Sequence, residues 1–273
     1  MKRICRAVRG FCALGTVAAV LAVSSTASLA ENTSALSSRQ SLGRSLFNDM
    51  RLSADASTSC ATCHLPDKAF TDRRRTALGI GAKIGTRNTP SLLNAAAHDS
   101  FSWDGRRDSL ESQVLAPFTN SREHGFKNLD EVTKRIAANP SYREQFARAF
   151  EDQQVSAPNI AAALAAYVRS VAGGPSRFDR YWFNGDKAAL TEFERRGFEI
   201  FRGAGQCVVC HGISDDRAAF TDNRFHSLGV GAAKLHDRLA ESATRALSAT
   251  QVPGGHPNSP ICGRVKLPHP EHT

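Results

Sequence analysis

The chain has 273 residues, 41% of them hydrophobic and 22% charged, with a formal net charge of +9. The apolar share supports a packed core and excludes general disorder, and the length allows about one or two domains. Seven cysteines are too few for a disulfide scaffold of this length, and four of them fall in two short clusters.

Residues 1–30 read as a secretory signal peptide. Lys2, Arg3, Arg6 and Arg9 form a basic start, Phe11 to Val23 an apolar run, and Ser28-Leu29-Ala30 a small-residue cleavage site. The apolar run is shorter than the roughly 20 residues of a membrane span, so no stable membrane insertion is expected. Cys12 follows the bulky Phe11, which argues against a lipoprotein cut there. Cleavage lowers the net charge from +9 to +5 and leaves Cys60, Cys63, Cys207, Cys210 and Cys262. A mildly basic exported chain suits an acidic redox partner and gives no reason to expect nucleic acid. A periplasmic location is the expectation.

Next come Gly43-x-x-Leu46-Phe47 and the pentapeptide Cys60-Ala61-Thr62-Cys63-His64, a C-x-x-C-H haem-attachment pattern. Its thiols bond the two haem vinyl groups and the adjacent histidine ligates iron. Helix candidates follow at Leu129 to Ala137 and Pro140 to Phe150. Ser156-Ala157-Pro158 opens another helix, with apolar residues at Ile160, Leu164, Tyr167, Val168 and Val171, and Gly173-Gly174-Pro175 stops it. These stripes read as plain core packing. Thr191-x-x-Glu194 is a capping box for a helix through Phe193, Phe198, Ile200 and Phe201. No segment shows strand alternation.

A second C-x-x-C-H follows at Cys207-Val208-Val209-Cys210-His211. A zinc site of four thiolates would leave both histidines unexplained. The surroundings repeat as well. Gly197-x-x-Ile200-Phe201 echoes Gly43-x-x-Leu46-Phe47. Ala69-Phe70-Thr71-Asp72 recurs as Ala219-Phe220-Thr221-Asp222, and Leu78-Gly79-Ile80-Gly81 as Leu228-Gly229-Val230-Gly231. Such self-similarity reads as duplication of one domain.

From about Leu42 to Gly231 the chain resembles the bacterial dihaem cytochrome c peroxidases and their MauG-type relatives. The segments that carry this are Leu42-Gly43-Arg44-Ser45-Leu46-Phe47, Arg87-Asn88-Thr89-Pro90-Ser91-Leu92-Leu93-Asn94, Trp103-Asp104-Gly105-Arg106 and Phe220-Thr221-Asp222-Asn223-Arg224-Phe225-His226. The resemblance implies two covalently attached haem c groups, on Cys60, Cys63 and His64 and on Cys207, Cys210 and His211. It makes His64 the proximal iron ligand where peroxide reacts, and places Gln113, Pro117 and Glu123 over that iron. Glu123 is then the acid–base residue; by itself it reads as a solvated charge beside Arg122 and His124. Gln113, otherwise a helix-surface amide, orients peroxide or water. Trp103 becomes an electron relay between the haems, its plain alternative being a core tryptophan with a bonded N–H. Arg106, after a tight turn at Asp104-Gly105, suits a haem propionate. Asn88 matches a ligand to a calcium ion between the domains.

Three departures from the family bear on function. Positions 65 to 97 hold no histidine, and His98 is the next; the resemblance then implies a peroxidatic haem open without reductive activation. The family's second haem takes a distal Met or Tyr, and neither occurs after His211. His226, His236, His256, His269 and His272 remain, with His226 expected at the haem edge rather than on iron. The likeness stops after Gly231, and a Pro/Gly-rich tail containing the unpaired Cys262 reads as disordered.

The expectation is therefore an all-α protein of two tandem cytochrome c-like domains. The peroxidatic domain spans 36–175, an incomplete electron-transfer domain 185–240, and the tail 241–273. The implied reaction is reduction of hydrogen peroxide with electrons from a small c-type cytochrome or copper protein, in a family that often forms homodimers. The alternatives are MauG-like oxidation of a partner protein to mature a quinone cofactor, a non-enzymatic electron carrier, and an inactive fragment.

Overall fold

Capping chemistry sets the helix boundaries. The computed structural model describes residues 34–227. The expected signal peptide, the second Leu-Gly-x-Gly segment, the tail, Cys262 and the four histidines beyond His226 lie outside the described residues. Eight α-helices occur among those described. They are α1 (34–48), α2 (Cys60–Cys63), α3 (Leu110–Thr119), α4 (Leu129–Ala137), α5 (Pro140–Ala149), α6 (Ala157–Ser170), α7 (Arg177–Trp182) and α8 (Glu192–Arg202). The described residues contain no β-strand, only isolated bridges at Leu65–Thr71, Leu78–Ile84 and Phe101–Arg107.

Side chains of Ser109, Asn128, Asn139 and Ser156 accept backbone N–H groups at the starts of α3, α4, α5 and α6. Each such cap is worth about 1 kcal/mol. Capping boxes open α7 at Ser176/Asp179 and α8 at Thr191/Glu194, the latter as the sequence predicts. Phe150 turns extended, so α5 ends one residue earlier than expected, and α6 ends at Ser170, one short of Val171.

Helix α6 is the centre of the larger part. Ile160, Ala161, Ala163, Leu164, Ala165, Ala166 and Val168 are all buried, so it is covered on most sides. It packs against α3 and α4. Helix α1 adds Leu42, Leu46 and Phe47 to the same core, and α4 and α5 add Val132, Ile136 and Phe146. Each large side chain buried here contributes roughly 1.5–3 kcal/mol. The smaller part is held differently. Phe178 of α7 meets Phe198 of α8 edge-on at 5.0 Å and Phe220 at 5.2 Å, and Phe201 meets Phe220 at 5.9 Å. The two parts touch through the segment after the second pentapeptide: Asn223 Nδ2 donates to the Ala97 carbonyl at 3.1 Å, and the Phe225 ring lies on Gly105. None of the helices is long and apolar enough to cross a membrane, among the described residues.

Candidate haem and active sites

The first pentapeptide winds into the single turn α2, with Thr62 Oγ1 accepting the Ser59 N–H at 3.0 Å. His64 ends the turn. Its Nδ1 donates to the Phe70 carbonyl at 2.8 Å, since a carbonyl only accepts. That bond fixes the tautomer and leaves Nε2 as a free ligand atom. Phe70 aims its carbonyl by adopting a left-handed backbone, φ 57°. Burial lowers the His64 pKa, which keeps the ring neutral and able to ligate. The Phe47 ring stands 6.2 Å from it at 44°. Burial pushes the Cys60 thiol up to about 12 and the Cys63 thiol up to about 11.

The second pentapeptide repeats this geometry. His211 Nδ1 donates to the Phe220 carbonyl at 3.0 Å, Phe220 is left-handed at φ 53°, and Phe201 stands 6.2 Å from the imidazole at 41°. The acceptor lies nine residues past the histidine instead of six, so the intervening loop absorbs three extra residues without moving the bond. The following Asp repeats too. Asp72 accepts from the Arg74 N–H and Asp222 from the Arg224 N–H, both at 3.0 Å.

Glu123 comes to the first site. The next residue, His124, puts its Nε2 4.0 Å from Cys60 Sγ. The Glu123 side chain is half-buried, and burial raises its pKa despite the Arg106 charge and an Asn120 hydrogen bond at 2.5 Å. The solvated-surface reading of Glu123 therefore fails. Its segment is anchored by the Ile80 N–H, which donates to the Glu123 carbonyl at 2.9 Å. Gly79 makes that approach possible, because a Cβ there would stand 2.0 Å from the Arg122 carbonyl oxygen. Gln113, on α3, accepts from Ser102 Oγ at 2.7 Å, which leaves its amide N–H groups for another acceptor. Pro117 lies inside the same helix and has no N–H for the Gln113 carbonyl.

Trp103 is 56% exposed, so the core reading fails, although Nε1 does donate to the Asn88 carbonyl at 2.7 Å. The tight turn is present, with Gly105 at φ 64°. Arg106 pairs with Asp104 at 2.8 Å, and Arg87 shares that carboxylate at 3.0 Å. Asn88 Nδ2 donates to the Arg74 carbonyl, which orients its Oδ1 away. His98 is exposed at the end of a short turn. His226 bonds Asp222 at 2.9 Å and, with Cys210, forms the one cluster of three His, Cys, Asp or Glu side chains close enough for a metal among the described residues. The four pentapeptide sulfurs form no such cluster among the described residues. Sequence reasoning passed over His124, which is 4% exposed and sits against Cys60. Only its place beside Glu123 hinted at it.

Haem c needs two thiols on one turn and an imidazole whose outer nitrogen is free. Both pentapeptides present these, so the residues fit the group. An all-helical fold carrying two such sites defines a dihaem c-type cytochrome. More narrowly, the chain belongs to the di-haem cytochrome c peroxidase family, whose model matches residues 37–188. It is 40% identical over 192 residues to a methylamine utilization protein MauG from Methylorubrum extorquens, covering 70% of this chain and 53% of the relative. It is 34% identical over 171 residues to the cytochrome c peroxidase Ccp of Escherichia coli, covering 63% of this chain and 36% of that protein. Among solved structures it resembles a MauG-like protein associated with microbial copper homeostasis. That match has a TM-score of 0.60 and 35% identity, and covers 70% of this chain and 56% of the other. The chain spans about half the length of the MauG relatives it matches.

Proposed function

We propose that this chain reduces hydrogen peroxide to water at the haem on His64, in the periplasm. A small c-type cytochrome or copper protein supplies the electrons through the haem on His211. One peroxide, two protons and two electrons give two waters. Bound haem supplies the iron at which the O–O bond is cleaved. The observation that carries this reading is a half-buried carboxylate, Glu123, next in the chain to His124, whose ring lies against the Cys60 sulfur of the first site. A carboxylate of raised pKa would take a proton from one peroxide oxygen and return it to the other as the O–O bond breaks. Gln113, held by Ser102, orients the peroxide through its amide N–H groups. Asn88 belongs to the same proposal as a calcium ligand, its Oδ1 oriented by the Arg74 bond.

The exposed ring of Trp103 favours a second reading, MauG-like oxidation of a partner protein, because an electron hole on that ring lies at the surface. The test is a peroxide titration of the haem-loaded chain with reduced small cytochrome c present. Turnover that falls by roughly 10²–10⁴ in Glu123→Gln supports the peroxidase. Peroxide consumption coupled to oxidation of a partner protein, with no cytochrome oxidation, favours the second reading. An unresponsive haem spectrum overturns both and leaves an electron carrier or an inactive fragment.

A further inference from the structure

His124 is a buried imidazole to which the proposed reaction gives no task. Its Nδ1 lies 2.5 Å from the Leu52 carbonyl, which can only accept, so Nδ1 carries the proton. Nε2 lies 4.0 Å from Cys60 Sγ. The ring is wedged edge-on against Phe118 at 5.1 Å. Its backbone is fixed at both ends: the N–H donates to the Pro117 carbonyl at 3.2 Å, and the carbonyl accepts from the Ala54 N–H at 2.8 Å. Exchanging the tautomer would leave the buried Leu52 carbonyl facing a lone pair, which is costly.

We propose that His124 is a tuning residue of the first haem, with the Nε2 lone pair of its locked tautomer facing the attachment sulfur of Cys60 and biasing that haem toward its oxidised state. A free thiol can donate to Nε2. A sulfur bonded to a haem vinyl carbon has no proton, so the nitrogen lone pair then faces the haem substituent unquenched. The Nε2 end is the negative end of the ring dipole. Ferric haem carries one more positive charge than ferrous haem, so a negative end beside it stabilises the ferric form and lowers the reduction potential. Burial acts the same way: it lowers the His124 pKa and keeps the ring neutral. The second site has a different neighbour at its attachment sulfur, since Asp222 and His226 converge on Cys210 there.

This inference rests on haem attachment at Cys60, not on the peroxidase reading, which Glu123→Gln tests separately. The experiment is an anaerobic redox titration of the haem-loaded chain, with each haem followed by its own electron paramagnetic resonance signal. His124→Phe keeps the ring volume and removes the dipole. His124→Asn keeps a donor for Leu52 but is too short to present a lone pair to the sulfur. Both variants should raise the potential of the His64 haem, seen as a severalfold higher ferrous-to-ferric ratio at fixed solution potential, and leave the His211 haem unmoved. If His124→Phe fails to fold, His124→Asn decides. An unchanged or lowered potential at the first haem, or an equal shift at both haems, overturns the proposal.

Discussion

The two haem sites share local geometry and differ in what surrounds it. Both histidines donate Nδ1 to a left-handed phenylalanine carbonyl, at 2.8 and 3.0 Å, and both lie 6.2 Å from a phenylalanine on the preceding long helix. Yet His64 is half-buried and His211 exposed. The repeated glycine shows the reason. A Cβ on Gly43 would stand 2.0 Å from the Ala163 carbonyl oxygen, because α1 crosses α6 closely, whereas a Cβ on Gly197 would meet nothing within 4 Å. Short-range hydrogen bonds orient the imidazole in both repeats. Burial, and the pKa shifts that follow from it, comes from helices that, among the described residues, pack only around the first.

The contrast can be broken most forcefully in the core. Phe146 is 0% exposed and Phe193 is 87% exposed. Phe146→Ala should destabilise the chain by about 3–5 kcal/mol and Phe193→Ala by less than about 0.5 kcal/mol, compared by denaturant melts. Equal effects would show that the described burial does not govern stability.

The paired glycines give a smaller effect with opposite signs. Gly43→Ala forces α1 off α6 and should cost about 1–3 kcal/mol. Gly197→Ala, in the open interior of α8, should gain about 0.5–1 kcal/mol from helix propensity. A loss at both positions would mean that α8 is covered as tightly as α1.

The pH dependence sharpens the comparison at the first site. Burial raises the Glu123 pKa, and the base must be ionised to act. Peroxide reaction at the His64 haem should therefore fall with decreasing pH through a midpoint above the usual glutamate range. Glu123→Gln should abolish that limb; a limb that persists assigns the titration elsewhere. The stability sign runs the other way. A raised carboxyl pKa contributes stability below the unfolded value and loses it as pH rises through the folded one. Glu123→Gln should then melt at or slightly above the parent at neutral pH, the smallest change of the set.

Much of the fold was legible because its signals are local. Asn128, Ser156 and the Thr191/Glu194 box mark helix starts through side chains that reach only three residues along the chain. The last residues of α5 and α6 were less legible, since Phe150 and Val171 leave the helix to join buried positions rather than obey a stop signal. The exposure of Trp103 was not legible for a related reason: composition does not say which face of a turn meets solvent.

The sequence by itself determined the two Cys-x-x-Cys-His turns and the histidine that ends each, because each is written in contiguous residues. Only the tertiary structure decided that Glu123 is half-buried at the first site, and that His124 faces the Cys60 sulfur. Those groups lie about sixty residues apart in the chain. Their proximity depends on α3, the close approach at Gly79 and the Leu52 carbonyl, and desolvation is a property of everything packed around a group rather than of its neighbours in sequence.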